Sequence, residues 1–267
     1  MALDQDWQLE IPDRSIRVGA GTVYSIPRDG GGLKGFVGLP PARRKDLERH
    51  LAHGSVPGHD TYADRPLTIP IGITGAGLTD ADRQVDAMVK ARALLVAWRL
   101  ATTGELRLDA RLPGMPETVL SYFGRPRDVG EVDWTWTFGR LHLTAEFDAL
   151  DPVAYGAEQT LLTQSGTFNV TGTGEINSDR LMLTFHGSGG TPRLVNNTTG
   201  GDIQFRTTLA GDAIVDVRAQ TCTVGGINHI GDIATSTKWL GLAGGVTNSL
   251  TLTGATSVDL TWRAGYQ

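Results

Sequence analysis

A single cysteine, Cys222, stands in a chain of 267 residues. That excludes an internal disulfide and any cysteine-based zinc cluster, so stability must come from packing, alone or with oligomerisation, as suits assembly in a reducing cytoplasm. No apolar run approaches the ~20 residues of a membrane-spanning helix. The opening MALDQDWQLEIPD is acidic where a secretory signal would be basic, and no such signal is expected. A role outside the cell would then follow release inside a larger particle. There is also no excess of basic charge: 24 Lys and Arg stand against 29 Asp and Glu, for a net charge of -5. The whole chain therefore lacks the electrostatic footprint of a nucleic-acid binder.

What the chain has in quantity is glycine. Its 35 glycines, frequent threonine and 40% hydrophobic content point to a folded, turn-rich and mainly β protein with enough length for one large or two ordinary domains. Early segments Ser15 to Val18 and Val23 to Ile26 read as short strands. From Pro27 to Arg65 the text is dense in Gly, Pro and charge, too interrupted to bury a face. An extended loop or arm is expected there, with a short helix over Arg43 to His53.

Leu67 to Thr74 alternates in the manner of a strand with one buried side, and Pro70 places it at an edge or bulge. One helix follows. Thr79 or Asp80 caps it, Val85, Met88, Leu95 and Trp98 share its apolar face, and Gly104 stops it. Leu106 to Leu112, Val119 to Phe123 and Val132 to Phe147 read as strands, the last with alternating Trp134 and Trp136.

Near Asp151 the texture changes. Residues 1 to 152 hold 39 of the 53 charged residues, so a boundary is expected there, giving domains 1-152 and 153-267. The second half offers seven or eight alternating strands: Phe168 with Val170; Leu181, Leu183 and Phe185; Ile203, Phe205 and Leu209; Val215 and Val217; Cys222 and Val224; Leu250 and Leu252; Val258, Leu260 and Trp262. With no helix between them, they indicate an antiparallel β-sandwich.

No residue is assigned a catalytic, cofactor-binding or metal-binding role. His50 and His53 have HxxH spacing, with His59 nearby, but lack the HExxH general base and a carboxylate at a diagnostic offset; they read as solvated loop residues. Gly30-Gly31-Gly32 with Lys34 lacks the GxxxxGK[ST] spacing and reads as a turn. Asp148 and Asp151 read as strand-end residues, although a glycosidase pair is defined only in three dimensions. Arg43, Arg44, Lys45 and Arg49 are interrupted by Asp46 and Glu48, which suggests a solvated face or a protein contact. Trp239, beside Leu240 and Leu242, reads as packing, with a sugar-stacking platform as the alternative. The sequon at Asn197, Thr198 and Thr199 reads as a polar turn.

Three segments together carry a family resemblance. The run from Arg125 to Tyr155 leads through an aromatic strand into EFDALDPVAYG. The second is PRLVNNTTGGDIQFRTTLAGDAIVDVRAQTCTV, and the third is the ending KWLGLAGGVTNSLTLTGATSVDLTWRAGYQ. With RPLTIPIGITG placed before the helix, their order resembles the distal tail (Dit) proteins of siphophages, including those known as minor tail proteins in phages of actinobacteria. The resemblance covers nearly the whole chain, apart from Pro27 to Arg65, whose charge pattern has no counterpart in it.

That resemblance implies an N-terminal belt domain over 1-152, of strands and one helix, and a galectin-like β-sandwich over 153-267. It implies a homohexameric ring joining the tail tube to the tip hub, beside the tape-measure protein, at the tail tip of a virion. DNA would pass through the lumen without specific binding, and no cofactor, membrane or enzymatic reaction is implied. The alternatives are a carbohydrate-binding receptor protein with Trp239 or Tyr155 at the sugar, and a tail-associated hydrolase.

Overall fold

The computed structural model describes residues 3, 5–12, 15–27, 32–43, 47–48, 55–56, 61–99, 105–115, 117–129, 133–135, 139–187, 189–209 and 211–266. Contacts between Cα atoms divide the chain into two compact units, Met1–Ala154 and Tyr155–Tyr266.

In the first unit, antiparallel strands run in the order Arg17–Gly19, Gln8–Glu10, Leu106–Arg111, Leu120–Val129, Arg140–Ala149, Arg65–Thr74 and Tyr24–Ser25. Leu120–Val129 turns the corner between two halves of this array. Its residues 120 to 124 pair with Leu106–Arg111, and Arg125 onward pair with Arg140–Ala149 through a register shift after Pro126. Gly124 sits at the corner because a Cβ there would lie 1.9 Å from the Asp148 carbonyl oxygen, and such close backbone approach admits only glycine.

Arg65–Thr74 is paired along its whole length with Arg140–Ala149. Its other edge is touched by Lys34 at Thr68 and by Tyr24–Ser25 at Ile73 and Gly72. Thr68 donates its N–H to Lys34, so by the two-residue period the absent N–H of Pro70 faces that same sparsely paired edge. Proline is tolerated there for this reason. The expected single strand over Val132 to Phe147 is instead a hairpin, Asp133–Thr135 against Arg140–Ala149. Gly139, at φ +58, makes the turn, and sixteen residues would exceed the usual strand length. Trp136 lies outside the described residues.

The helix spans Asp80–Arg99. Thr79 is its N-cap: the Thr79 hydroxyl accepts from the Asp82 N–H at 3.1 Å, and the Asp82 carboxylate accepts from the Thr79 N–H at 3.1 Å. This reciprocal pair satisfies donors that the first turn leaves open. The buried stripe differs from the expected one. Ala87, Ala91, Leu94, Ala97 and Trp98 are buried, whereas Val85 and Met88 face solvent and Leu95 is half-buried. Close docking selects small residues: at Gly75, beside the helix, a Cβ would come within 1.7 Å of the Arg83 carbonyl oxygen, so alanines and not larger apolar residues line the contact. Trp98 anchors the far end, its indole N–H donating to the Arg127 carbonyl at 3.1 Å. The expected stop at Gly104 lies outside the described residues.

The described residues of Arg43 to His53 do not form the expected helix. Ala42–Arg43 pairs with Thr61–Tyr62, and Leu47–Glu48 pairs with Ser55–Val56. A short helix without a packed face is marginal in water; these ribbons satisfy backbone groups by pairing across the chain.

The second unit is a sandwich of two antiparallel sheets. One orders Ala154–Gln164, Ser257–Tyr266, Leu181–His186, Ala213–Asp216, Thr221–Val224 and Ile227–Asn228; the other orders Thr167–Thr171, Thr247–Thr253, Arg193–Asn196 and Asp202–Gln204. Alternation sends Leu181, Leu183, Phe185, Val258, Leu260 and Trp262 inward from the first sheet, against Val170, Leu194, Ile203, Leu250 and Leu252 from the second. Phe185 meets Phe205 edge-on with ring centroids 5.3 Å apart. The chain is thus mainly β with one described α-helix.

Candidate assembly surface

Many of the side chains weighed for catalysis or ligand binding fall outside the described residues. His50, His53 and His59 lie outside them, as do Gly30, Gly31, Arg44, Lys45 and Arg49. Among those described, no cluster of His, Cys, Asp and Glu is arranged to hold a metal, and no helix is long and apolar enough to cross a membrane. An open cleft near the N-terminus is lined by Gln5, Gln8, Ser15, Arg17, Thr22 and Tyr24 among others, with no acid, histidine or cysteine. Asp148 is held by Arg127 at 2.7 Å, and buried Asp151 accepts the Val153 N–H at 3.2 Å. Both carboxylates therefore serve the chain's own turn.

The aromatic candidates for sugar stacking are also occupied by the fold. Tyr155 is buried, with the Arg180 guanidinium 4.7 Å from its ring centre. Trp239 is half-buried against the sandwich core.

The polar turn at Asn196 to Gly200 is built from inside. Asn196 is fully buried; its amide donates to the Gly241 carbonyl at 2.8 Å and to Asn248 Oδ1 at 3.1 Å, while its Oδ1 accepts the Thr198 N–H at 2.9 Å. Asn248 in turn exchanges hydrogen bonds with the Ala243 N–H and carbonyl. Two asparagines thus tie the strand edge to the Trp239–Val246 segment. Asn197, the sequon residue, donates to Thr251 Oγ1 at 3.0 Å.

Exposed apolar residues on the first unit are a feature that the sequence pattern did not single out. Phe36 is buried edge-on against Tyr122 at 5.3 Å, and its carbonyl accepts the Tyr122 hydroxyl at 2.8 Å. Burial pushes the Tyr122 hydroxyl up to about 12, so it remains a donor at any physiological pH. The Arg65 guanidinium, buried beside it, donates to the Gly38 carbonyl at 3.0 Å, and burial lowers its pKa. Between these anchors Val37 and Leu39 face solvent. The helix likewise turns Val85, Val89 and Val96 outward. Fixed apolar protrusions of this kind have the chemistry of a contact surface.

A strand array with a single docked helix, followed by an antiparallel sandwich, is a combination also found in a solved phage protein. The chain resembles the solved structure of the Dit protein of phage SPP1, described as a paradigm of the hub adsorption apparatus in phages infecting Gram-positive bacteria. The TM-score is 0.67 at 15% identity, over 92% of this chain and 94% of that one. At that identity the likeness is one of fold. The activated P2 baseplate aligns at TM-scores of 0.49 with Ca and 0.47 with Sr, each at 9% identity and over 85% and 84% of this chain and 87% of that one in both cases, values that do not establish a shared fold. No protein-family model matches the sequence, and no curated protein does.

Proposed function

We propose that this chain is a structural component of a phage tail tip: a ring of six copies that joins the tail tube to the tip hub, with the tape-measure protein as a further neighbour. Residues 1-152 would act as the belt that closes the ring, and residues 153-267 as a galectin-like sandwich on its periphery. The observation that carries this reading is the correspondence of fold with SPP1 Dit over nearly the full length of both chains. Sixfold closure needs a heterologous contact that returns on itself after six copies. A net charge of -5 suits a channel through which DNA passes without sticking.

No reaction is assigned. Zymography on peptidoglycan and polysaccharide should show no clearing, and elemental analysis should find no stoichiometric metal. A content near one zinc or calcium per chain that is lost on His50→Ala with His53→Ala would overturn that and restore the histidine site. Electron microscopy of the purified protein is the direct test of the ring. Sixfold rings are expected; particles of another symmetry would remove the proposal.

A further inference from the structure

We infer that the outward face of the Asp80–Arg99 helix receives the Leu33–Arg43 loop of a neighbouring copy of this chain. The inference rests on the ring reading and adds the surfaces that would form its contact.

On a helix of 3.6 residues per turn, Val85, Val89 and Val96 fall on one line, opposite Ala87, Ala91, Leu94 and Trp98. They are 64%, 61% and 63% exposed. Valine is a weaker helix former than the charged and unbranched residues that usually occupy a solvated face. Helix stability therefore gives no reason for three valines there, whereas a covering partner does.

The loop supplies the complementary shape. Val37 and Leu39 are 78% and 71% exposed on a backbone that is held from both sides. Lys34 and Thr68 exchange two backbone hydrogen bonds at 3.1 and 3.0 Å, Phe36 is buried against Tyr122, and Gly38 is held by Arg65. Gly35, at φ +84, lies so close to the Pro66 carbonyl oxygen that a Cβ would be 2.1 Å from it. Two apolar knobs are thus presented with little conformational freedom left to lose on binding.

Symmetry identifies the occupant as a second copy. A head-to-tail ring requires two different patches on each subunit, whereas a twofold dimer requires one self-complementary patch. The first unit carries two, on separate elements, and each is exposed in its own chain. A 20-residue helix about 30 Å long and 10 Å wide presents roughly 300 Å² on one side, against about 800 Å² per partner in a stable interface. This contact is therefore one part of a larger junction, and disrupting it should weaken assembly without removing every contact.

The test uses the full chain. Leu39→Cys combined with Val89→Cys should, under mild oxidation, give a ladder of disulfide-linked chains reaching six copies, while neither single variant forms dimers above background. Native Cys222 does not interfere, being buried with its thiol pushed up to about 11. Val89→Asp should raise the concentration at which rings form by at least tenfold, with an unchanged circular dichroism spectrum. Rings by microscopy without a 39–89 link, or rings unaffected by Val89→Asp, would overturn this inference and leave the ring reading standing. Self-linking of the Val89→Cys single variant would replace it with a twofold helix contact. Monomers at every concentration would overturn the ring reading and this inference with it.

Discussion

Trp262 shows at the residue scale what burial decides. Its side chain fills the sandwich core, yet its indole N–H has no hydrogen-bond partner among the described residues. Trp262→Ala should cost about 3-5 kcal/mol by opening a cavity. Trp262→Phe should cost under about 1.5 kcal/mol, because the smaller ring loses volume but removes an unpaired buried donor. Urea unfolding of both variants checks the pair; equal losses would mean that the N–H is satisfied after all. Asn196 is the opposite case, a buried amide whose bonds are met on every side. Asn196→Ala should destabilise by about 1-3 kcal/mol, since it removes the amide that donates to the Gly241 carbonyl and Asn248 Oδ1 and takes from the Thr198 N–H its acceptor. Its period is invisible in a hydrophobicity pattern, because an asparagine in NNTTG looks like any other turn residue until its partners at 241 and 248 are placed.

At the scale of elements, caps and cross-strand links set local stability. Thr79→Ala removes one side of the reciprocal cap and should lower stability by about 1 kcal/mol, read as a shift in the urea midpoint with unchanged slope. His186, on the Leu181–His186 strand, meets a carboxylate at each ring nitrogen: Asp259 at 3.1 Å from Nε2 and Asp212 at 3.1 Å from Nδ1. Only the imidazolium donates to both. The hydrogen bond to Asp259, followed by Asp212, therefore raises the His186 pKa above its usual value. A raised folded-state pKa stabilises fully below the unfolded value near 6.5, and the benefit disappears as pH rises through the folded value. For groups this exposed the effect should be about 0.2-1 kcal/mol. Proton-detected titration of His186 should show the raised pKa, and Asp259→Asn should bring it down; an unchanged midpoint in that variant would remove the link.

For the whole molecule, the proposal divides assembly between the two units. Six copies of a 28.5 kDa chain should scatter light as a particle of about 171 kDa in a closed ring. Residues 153-267 expressed alone should fold as a soluble β domain and stay monomeric, because the alternating strands there build a complete two-sheet core of their own. A ring, or a dimer of the order of 10⁻⁶ M or tighter, formed by that segment alone would place the interface on the sandwich. Shortening Pro27 to Arg65 should weaken assembly without unfolding the sandwich, since so polar a segment contributes little to a core.

Much of the fold was legible in the residues themselves. The two-residue alternation at Leu181, Leu183 and Phe185, and again at Val258, Leu260 and Trp262, is a local property of the chain, and strands with one buried face write it directly into the sequence. The helix start at Thr79 or Asp80, and the glycine-rich turns, were legible for the same reason: cap and turn chemistry acts over a few residues. The side of the helix that would be buried was not. Size favoured Val85 and Met88, but the close approach at Gly75 chose Ala87 and Ala91, and only the docked sheet imposes that spacing. The exposed knobs at Val37 and Leu39 were hidden in a loop text dense in glycine and proline, because Tyr122 and Arg65, far along the chain, are what hold them out. Sequence thus determined the elements and their class through local periodicity and capping, whereas tertiary structure alone decided which apolar faces were consumed in folding and which stay exposed, since that depends on contacts between residues distant in the chain.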